Sequence, residues 1–308
     1  MSGSRKASLQ LARLNDSVLG AFGLLLPHSE GLDHLLRLLS TWSGTDKFFT
    51  LISSTCKILV PLLHLRARLQ HRAGLRTVPV SSAAPGIAKF ASLISDSQTL
   101  GRFWGLLQIF QWLISLERTQ QPTRNLLTIE RLQGWSMLGY YPLEHLSYLR
   151  THEVIPASVP SLGSIVDSTA KPITLDSNHL SRMSIRFWAV YVVLQFAHLR
   201  EDRKLLQLQQ RTLRKSKELL IPSEKQEIRR KWDAYWSGLL VNACNLPVAL
   251  HWSVEGGVFT NPFIVNVLGF IAAVVSFRTA WKATALPVMV EPETISDLVA
   301  PPTETPAM

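Results

Sequence analysis

The sequence has little of what catalysis requires. It contains no Gly-x4-Gly-Lys-[Ser/Thr] loop whose backbone amides would cradle a phosphate, and no His-Glu-x-x-His pair that would hold zinc on one helical face. It has no Gly-x-Ser-x-Gly elbow to present a nucleophilic serine. Nine histidines are present, and His64 with His71 and His145 with His152 are each seven residues apart, which places each pair on one face. No thiol or carboxylate completes a metal-ligand spacing, so they read as packed or interfacial side chains. No enzyme activity, metal or cofactor is expected. Cysteine is scarce: Cys56 and Cys244 stand far apart in apolar runs, which excludes a disulfide framework and suits buried thiols in a reducing compartment. From residue 287 onward there are five prolines, four acids and no Lys or Arg, and residues 285–308 read as a disordered tail.

Other absences concern targeting. Residues 1–30 form an N-terminal segment with a basic start and an apolar run, but Asp16 interrupts it and no small-x-small cleavage site follows, so no secretory signal is expected. The Asn15-Asp16-Ser17 sequon then carries no weight. The basic, serine-bearing opening keeps a mitochondrial membrane protein as an alternative. Pro306-Ala307-Met308 is not a Ser-Lys-Leu peroxisomal matrix address.

The most informative absence is of charge. Residues 258–277, VFTNPFIVNVLGFIAAVVSF, contain none, and Arg278 and Lys282 close the run. Twenty helical residues rise about 30 Å, the thickness of a bilayer's hydrocarbon core. The chain of 308 residues is 46% hydrophobic and 18% charged, with mean hydropathy +0.13, and its net charge is +10. Such a balance fits a protein partly in and partly on a membrane, its cations facing anionic headgroups rather than nucleic acid. Residues 235–252 are a second uncharged run, weakened by Asn242, Asn245 and Pro247. Cations at residues 229–231 and at Arg278 and Lys282 flank this pair, so it reads as a C-terminal transmembrane hairpin with both outer ends cytosolic.

The remainder reads as helix. Residues 31–76 carry Leu35, Leu38, Leu39, Phe48, Leu51, Ile52, Cys56 and Leu59 at helical spacing, with breaks expected near Ser43 and Gly44 and again near Pro61. A linker follows at 77–86. In the next stretch Ile87, Phe90, Ile94, Leu100 and Trp104 share one face, and Lys89, Ser92, Ser95, Asp96, Thr99 and Arg102 the other. An amphipathic helix with so few cations gains its membrane affinity from apolar insertion, which curvature defects favour. The same pattern is compatible with a bundle helix facing a protein core. Residues 132–149 form an aromatic-rich apolar run interrupted by Pro142, and residues 151–178 read as a long linker. Beyond it, residues 185–199 are short for a span, and residues 200–231 form a basic arm. The domain plan is therefore 1–30, a remodelling region at 31–150, the linker, a membrane region at 179–284, and the tail. The expected class is all-α, an integral membrane protein with amphipathic helices. The asparagines in and beside the uncharged runs leave a solute channel as a rival function.

The run Thr41-Trp42-Ser43-Gly44-Thr45-Asp46-Lys47 entering an amphipathic helix resembles the Gly-x-Asp-Lys start of the peroxin-11 family of peroxisomal membrane proteins. Leu100-Gly101-Arg102-Phe103 is similar to the end of that family's membrane-inserting helix, and the segment with Gly269, Ser276 and Trp281 is similar to its terminal span. The resemblance implies localisation in the peroxisomal membrane, elongation of peroxisomes before fission, homo-oligomerisation, and contact with membrane lipids and the organelle fission machinery. With it, Ile87, Phe90, Ile94, Leu100 and Trp104 are read as membrane-inserting, Lys89 and Arg102 as headgroup contacts, and Asp46 and Lys47 as residues of helix packing or self-association. The helix departs from the family in its charge of only +1, which argues against attraction to anionic lipid, and the long linker and basic arm suggest a divergent, fungal-type member.

Overall fold

The structure, a computed structural model, describes residue 18 and residues 29–160, 172–215 and 222–286. Most of the expected N-terminal segment, the middle of the expected linker, residues 216–221 of the basic arm and the tail from 287 lie outside the described residues. Among the described residues the chain is all-helical apart from one small ribbon. The helices are α1 (Glu30–Leu39), α2 (Trp42–Arg72), α3 (Ala84–Gly101), α4 (Gly105–Arg118), α5 (Arg124–Thr151), α6 (Ser177–Lys215), α7 (Pro222–Ser253) and α8 (Pro262–Ala283). A 3-10 turn, Arg102–Trp104, joins α3 to α4.

Residues 38–280 form one compact unit. The break before α2 follows from side-chain chemistry. Thr41 is its N-cap: its Oγ1 accepts from the Gly44 amide at 3.0 Å and donates to the Leu38 carbonyl at 2.8 Å. A Cβ on Gly44 would lie 2.0 Å from the Leu38 oxygen, so glycine is required at this close approach. Pro61 does not break α2, and Pro142 does not interrupt α5; each lies inside a continuous helix. An internal proline forfeits one backbone hydrogen bond and costs about 3 kcal/mol. Packing along 31 and 28 residues offsets that cost, which single-residue propensity does not register.

The helices run back and forth, joined by small and hydroxylated residues. Along α2 and α3, Ser53 Oγ donates to the Ala91 carbonyl and lies 3.1 Å from Ser95 Oγ, while Gln98 Nε2 donates to Asp46 Oδ1 and Thr50 Oγ1, both at 2.8 Å. Residues 46 to 53 thus meet residues 98 to 91, an antiparallel pair. The α3–α4 rod lies against α2 with its first half and against α5 with its second. Leu113 abuts Gly134, Tyr141 abuts Gly105, and Phe103 stacks on His145 at 4.0 Å. Ser136, Ser147 and Ser184 hydroxyls donate to carbonyls across the α5–α6 seam. Arg186 Nε donates to the Ser253 carbonyl at 3.2 Å, joining α6 to α7. Helix α8 runs antiparallel to α2: Phe48 faces Phe277 at one end, and His64 shares a cleft with Pro262 and Phe263 at the other.

Within the expected linker, residues 158–159 and 173–174 pair as a short antiparallel ribbon, and the helices flanking it, α5 and α6, pack along each other. The second unit contains residues 1–37 and 281–308. In it the His34 ring lies tilted against Trp281, centroids 3.8 Å apart, its Nε2 2.9 Å from the Trp281 carbonyl and 3.2 Å from Thr284 Oγ1.

Candidate membrane-contact surface

Burial in residues 38–280 is mixed. Large apolar residues such as Leu116, Leu126, Val192, Leu199, Val248 and Val265 are buried, and beside them many small and polar side chains: Ser53, Ala67, Ala84, Ala91, Gln133, Ser136, His145, Ser147, Ser184 and Ala273. The exposed set holds large apolar ones on every long helix, among them Leu62 and Leu69 on α2, Trp135 on α5, Val193 on α6, Trp236 on α7 and Ile264 on α8. Water disfavours such a surface, by about 25 cal/mol for each Å² of apolar area left exposed, whereas lipid accepts it. Small residues at the seams with apolar residues outside are the pattern of helices packed within a bilayer.

Helix α3 shows the exposed apolar set in detail. Of the five predicted inserting residues, Ile94 is buried at 8% exposure and Ile87 is half-buried, whereas Phe90 (52%), Leu100 (55%) and Trp104 (70%) are exposed. Leu93 and Leu107 join them, giving a stripe at 90, 93, 100, 104 and 107. These steps of three, seven, four and three residues keep to one side of the rod. The residues expected to face headgroups divide as well. Lys89 is exposed. Arg102 instead turns to α5, where its Nε and Nη2 each donate to a Glu144 carboxylate oxygen at 2.9 Å. Asp96 accepts from the Tyr148 hydroxyl and lies 3.0 Å from His152 Nε2. The expected polar face of α3 is thus largely a protein-facing one.

The Arg102 site is an ionic network in a confined space. Tyr140 donates to Glu144 Oε1 at 2.6 Å, and burial raises the Tyr140 pKa well above the usual phenol value. Burial works against the charge of Arg102, but the Tyr140 oxygen, the bonds and charge of Glu144, and Asp46 together raise its pKa above the ordinary guanidinium value. His145, stacked on Phe103, has its pKa lowered by burial. Asp46 and Lys47 line a cleft with α8, and Asp46 is the residue that receives Gln98 from α3.

Only α2 and α8 among the described helices are long and apolar enough to cross a membrane, with mean hydropathy 1.6 and 1.9 in their best windows. Sequence reasoning passed over α2 because Pro61 suggested two short helices. The available signal was that Lys57 is the one charge in residues 48–65. Residues 235–252, expected as the other arm of a hairpin, form part of α7, which falls short of that test and lies along α6.

No curated protein and no solved structure matches this chain. The family model for Peroxisomal biogenesis factor 11 (PEX11) matches residues 32–281, from α1 almost to the end of α8. That span takes in Gly44, Asp46 and Lys47 at the start of α2, the α3–α4 rod and the terminal apolar helix. An all-helical chain matched over most of its length by one family model belongs to that family: it is a PEX11-family protein, a peroxisomal biogenesis factor.

Proposed function

We propose that this protein is embedded in the peroxisomal membrane and elongates it, with α2 and α8 as an antiparallel crossing pair and the α3–α4 rod as the element that deforms lipid. The observation that carries this reading is the orientation of α3. Its polar groups at Ser95, Gln98 and Arg102 are bonded to α2 and α5, and its apolar stripe is left outward. Burying Phe90, Leu93, Leu100, Trp104 and Leu107 in acyl chains gains about 1.5 to 3 kcal/mol for each large side chain. The protein enters lipid as a preassembled hairpin rather than as a lone surface helix. A rod held along α2 by Ser53 and Asp46 keeps its shape while lipid adjusts around it, and the area it adds to the membrane favours curvature. Self-association would multiply the effect along a tubule, and the fission machinery would act on the elongated product.

The test uses the full chain reconstituted in vesicles of neutral and anionic lipid and imaged by electron microscopy. The unsubstituted protein is expected to draw tubules. A variant with Phe90, Leu93, Leu100 and Trp104 changed to serine is expected to stay helical by circular dichroism and to leave vesicles round. Tubulation by that variant at undiminished frequency would remove the stripe from the mechanism. In cells, loss of the protein is expected to leave fewer, larger peroxisomes.

A further inference from the structure

Lys57 is the residue the membrane-shaping reading leaves unused. It stands at the midpoint of α2, fifteen residues from each end, or about 22 Å of helix rise. A lysine side chain reaches far less than that, so it cannot bring its ammonium to either interface by snorkelling. Its side chain is accessible in the clefts beside it, and among the described residues it donates to Ser95 Oγ at 3.3 Å and pairs with no carboxylate. Of the residues lining the clefts beside it, the acid is Asp46, eleven residues back along the same helix, about 16 Å away along the axis. A cation at membrane depth with no protein anion marks a site where a ligand supplies the negative charge.

The space around Lys57 fits such a ligand. Two clefts meet at Lys57 and Asn266. One, of about 590 Å³, runs between α2, α3 and the start of α8 past Val60, Pro61 and Ala88. The other, of about 390 Å³, lies between α2, α7 and α8 beside Trp188 and Trp252. Both are in the size range of small-molecule sites; the first has mostly apolar walls with a few polar groups, and the second is more polar, with Asp46, Lys47, Thr50 and Asn245 among its lining. We propose that these joined clefts bind an anionic amphipath, an aliphatic chain ended by a carboxylate or phosphate, with its head on Lys57 and Asn266 and its chain along Val60, Pro61 and Ala88. The depth of Lys57 rests on α2 crossing the membrane; the uncompensated charge and the apolar walls do not. The site would make the protein responsive to the supply of such lipids.

The experiment is independent of membrane bending. The full chain, purified in an uncharged detergent, is titrated with dibromostearate, its methyl ester and a brominated lysophosphatidate, and quenching of tryptophan fluorescence is followed. Saturable quenching by the acids, reversed by unbrominated stearate and at least about 10-fold weaker for the ester, is expected. The tighter of stearate and lysophosphatidate identifies the source of the anion. Lys57→Gln is expected to abolish the preference for acid over ester, and Lys57→Arg to keep it. Equal quenching by acid and ester in the unsubstituted protein would overturn the proposal even if Lys57→Gln failed to fold. An unchanged preference in a folded Lys57→Gln would overturn it as well. Vesicles that fail to tubulate while this binding persists would count against the shaping mechanism alone.

Discussion

Replacing Glu144 with alanine tests whether the α3–α4 rod is held to α5 by charge. In the native protein the carboxylate receives two bonds from Arg102 at 2.9 Å and one from the Tyr140 hydroxyl at 2.6 Å. Removing one partner of a buried pair costs about 3 to 5 kcal/mol, chiefly because the surviving charge is stranded. Here the Arg102 side chain retains 29% exposure and Glu144 17%, so part of that charge recovers solvent. The expected loss is therefore lower, about 2 to 3 kcal/mol, in keeping with hydrogen bonds to charged groups. For a helical unit of this size that corresponds to a fall in melting temperature of about 4 to 12 °C. Thermal unfolding of the purified protein in mild detergent reads it. Arg102→Met is expected to cost a similar amount, and the double substitution little more than either alone, since the pair can be lost only once. Strict additivity of the two single losses would refute the reasoning, because it would mean that Arg102 and Glu144 act without each other. The exposed pair Arg131–Glu117 is the control: its removal is expected to leave the melting temperature unchanged.

Further outcomes follow from named contacts. Gly44→Ala is expected to disrupt the start of α2, because its Cβ would overlap the Leu38 carbonyl, and to lower the unfolding temperature more than Gly86→Ala, where nothing lies within 4 Å. Asp46→Ala is expected to loosen α3 from α2 by leaving Gln98 with fewer acceptors, read as faster amide hydrogen exchange in residues 84–101. His198 bonds Asp202 and Glu130, and the Asp202 bond, against burial, followed by the charges of both acids, raises its pKa above 6.5. Its protonated form therefore stabilises the fold fully below about pH 6.5, and that contribution is lost as pH rises through the raised value. Unfolding temperature against pH is expected to fall across that window, and to flatten in His198→Gln.

Much of this was legible in the sequence, and particular residues show where legibility ended. The charge-free run 258–277 located α8 but not its ends, since the helix begins at Pro262 and continues past Arg278 to Ala283. Helical periodicity placed α3 and selected its apolar positions. Periodicity reports which residues share a face; it does not report what covers that face. Ile94 and Leu100 lie on one broad apolar face by spacing, yet Ile94 is buried and Leu100 is exposed. Arg102 looked free because its partner Glu144 is 42 residues away. Pro61 concealed α2 because proline lowers local helix propensity whatever the surroundings, while the cost is met by packing formed elsewhere in the chain. The serines at the seams carry no signal in periodicity, because their partners are carbonyls 30 to 51 residues away.

The antiparallel arrangement of α2 and α8 creates a conflict that fixes one more prediction. The basic end of α2, with Arg66, Arg68 and Arg72, lies beside the start of α8, and Arg278 with Lys282 lies at the end of α8. If both helices cross, these two cation clusters are on opposite sides of the membrane, and the bias of cations toward the cytosol cannot satisfy both. The α2 cluster, extended by Arg76, is the larger, so residues 72–76 and the 254–261 turn are expected in the cytosol. That reverses the orientation read from the flanks of the C-terminal run alone. Single cysteines at Leu75, Val258 and Leu286, all exposed positions, put this to a maleimide that cannot cross membranes, in a background without Cys56 and Cys244. Leu75 and Val258 are expected to label together on intact organelles, and Leu286 only after permeabilisation. The opposite pattern would keep the crossing and restore the other orientation. Labelling of all three from one side would mean that α2 and α8 lie in the membrane without crossing it, and the deforming element would then be the whole helical layer rather than the α3–α4 rod.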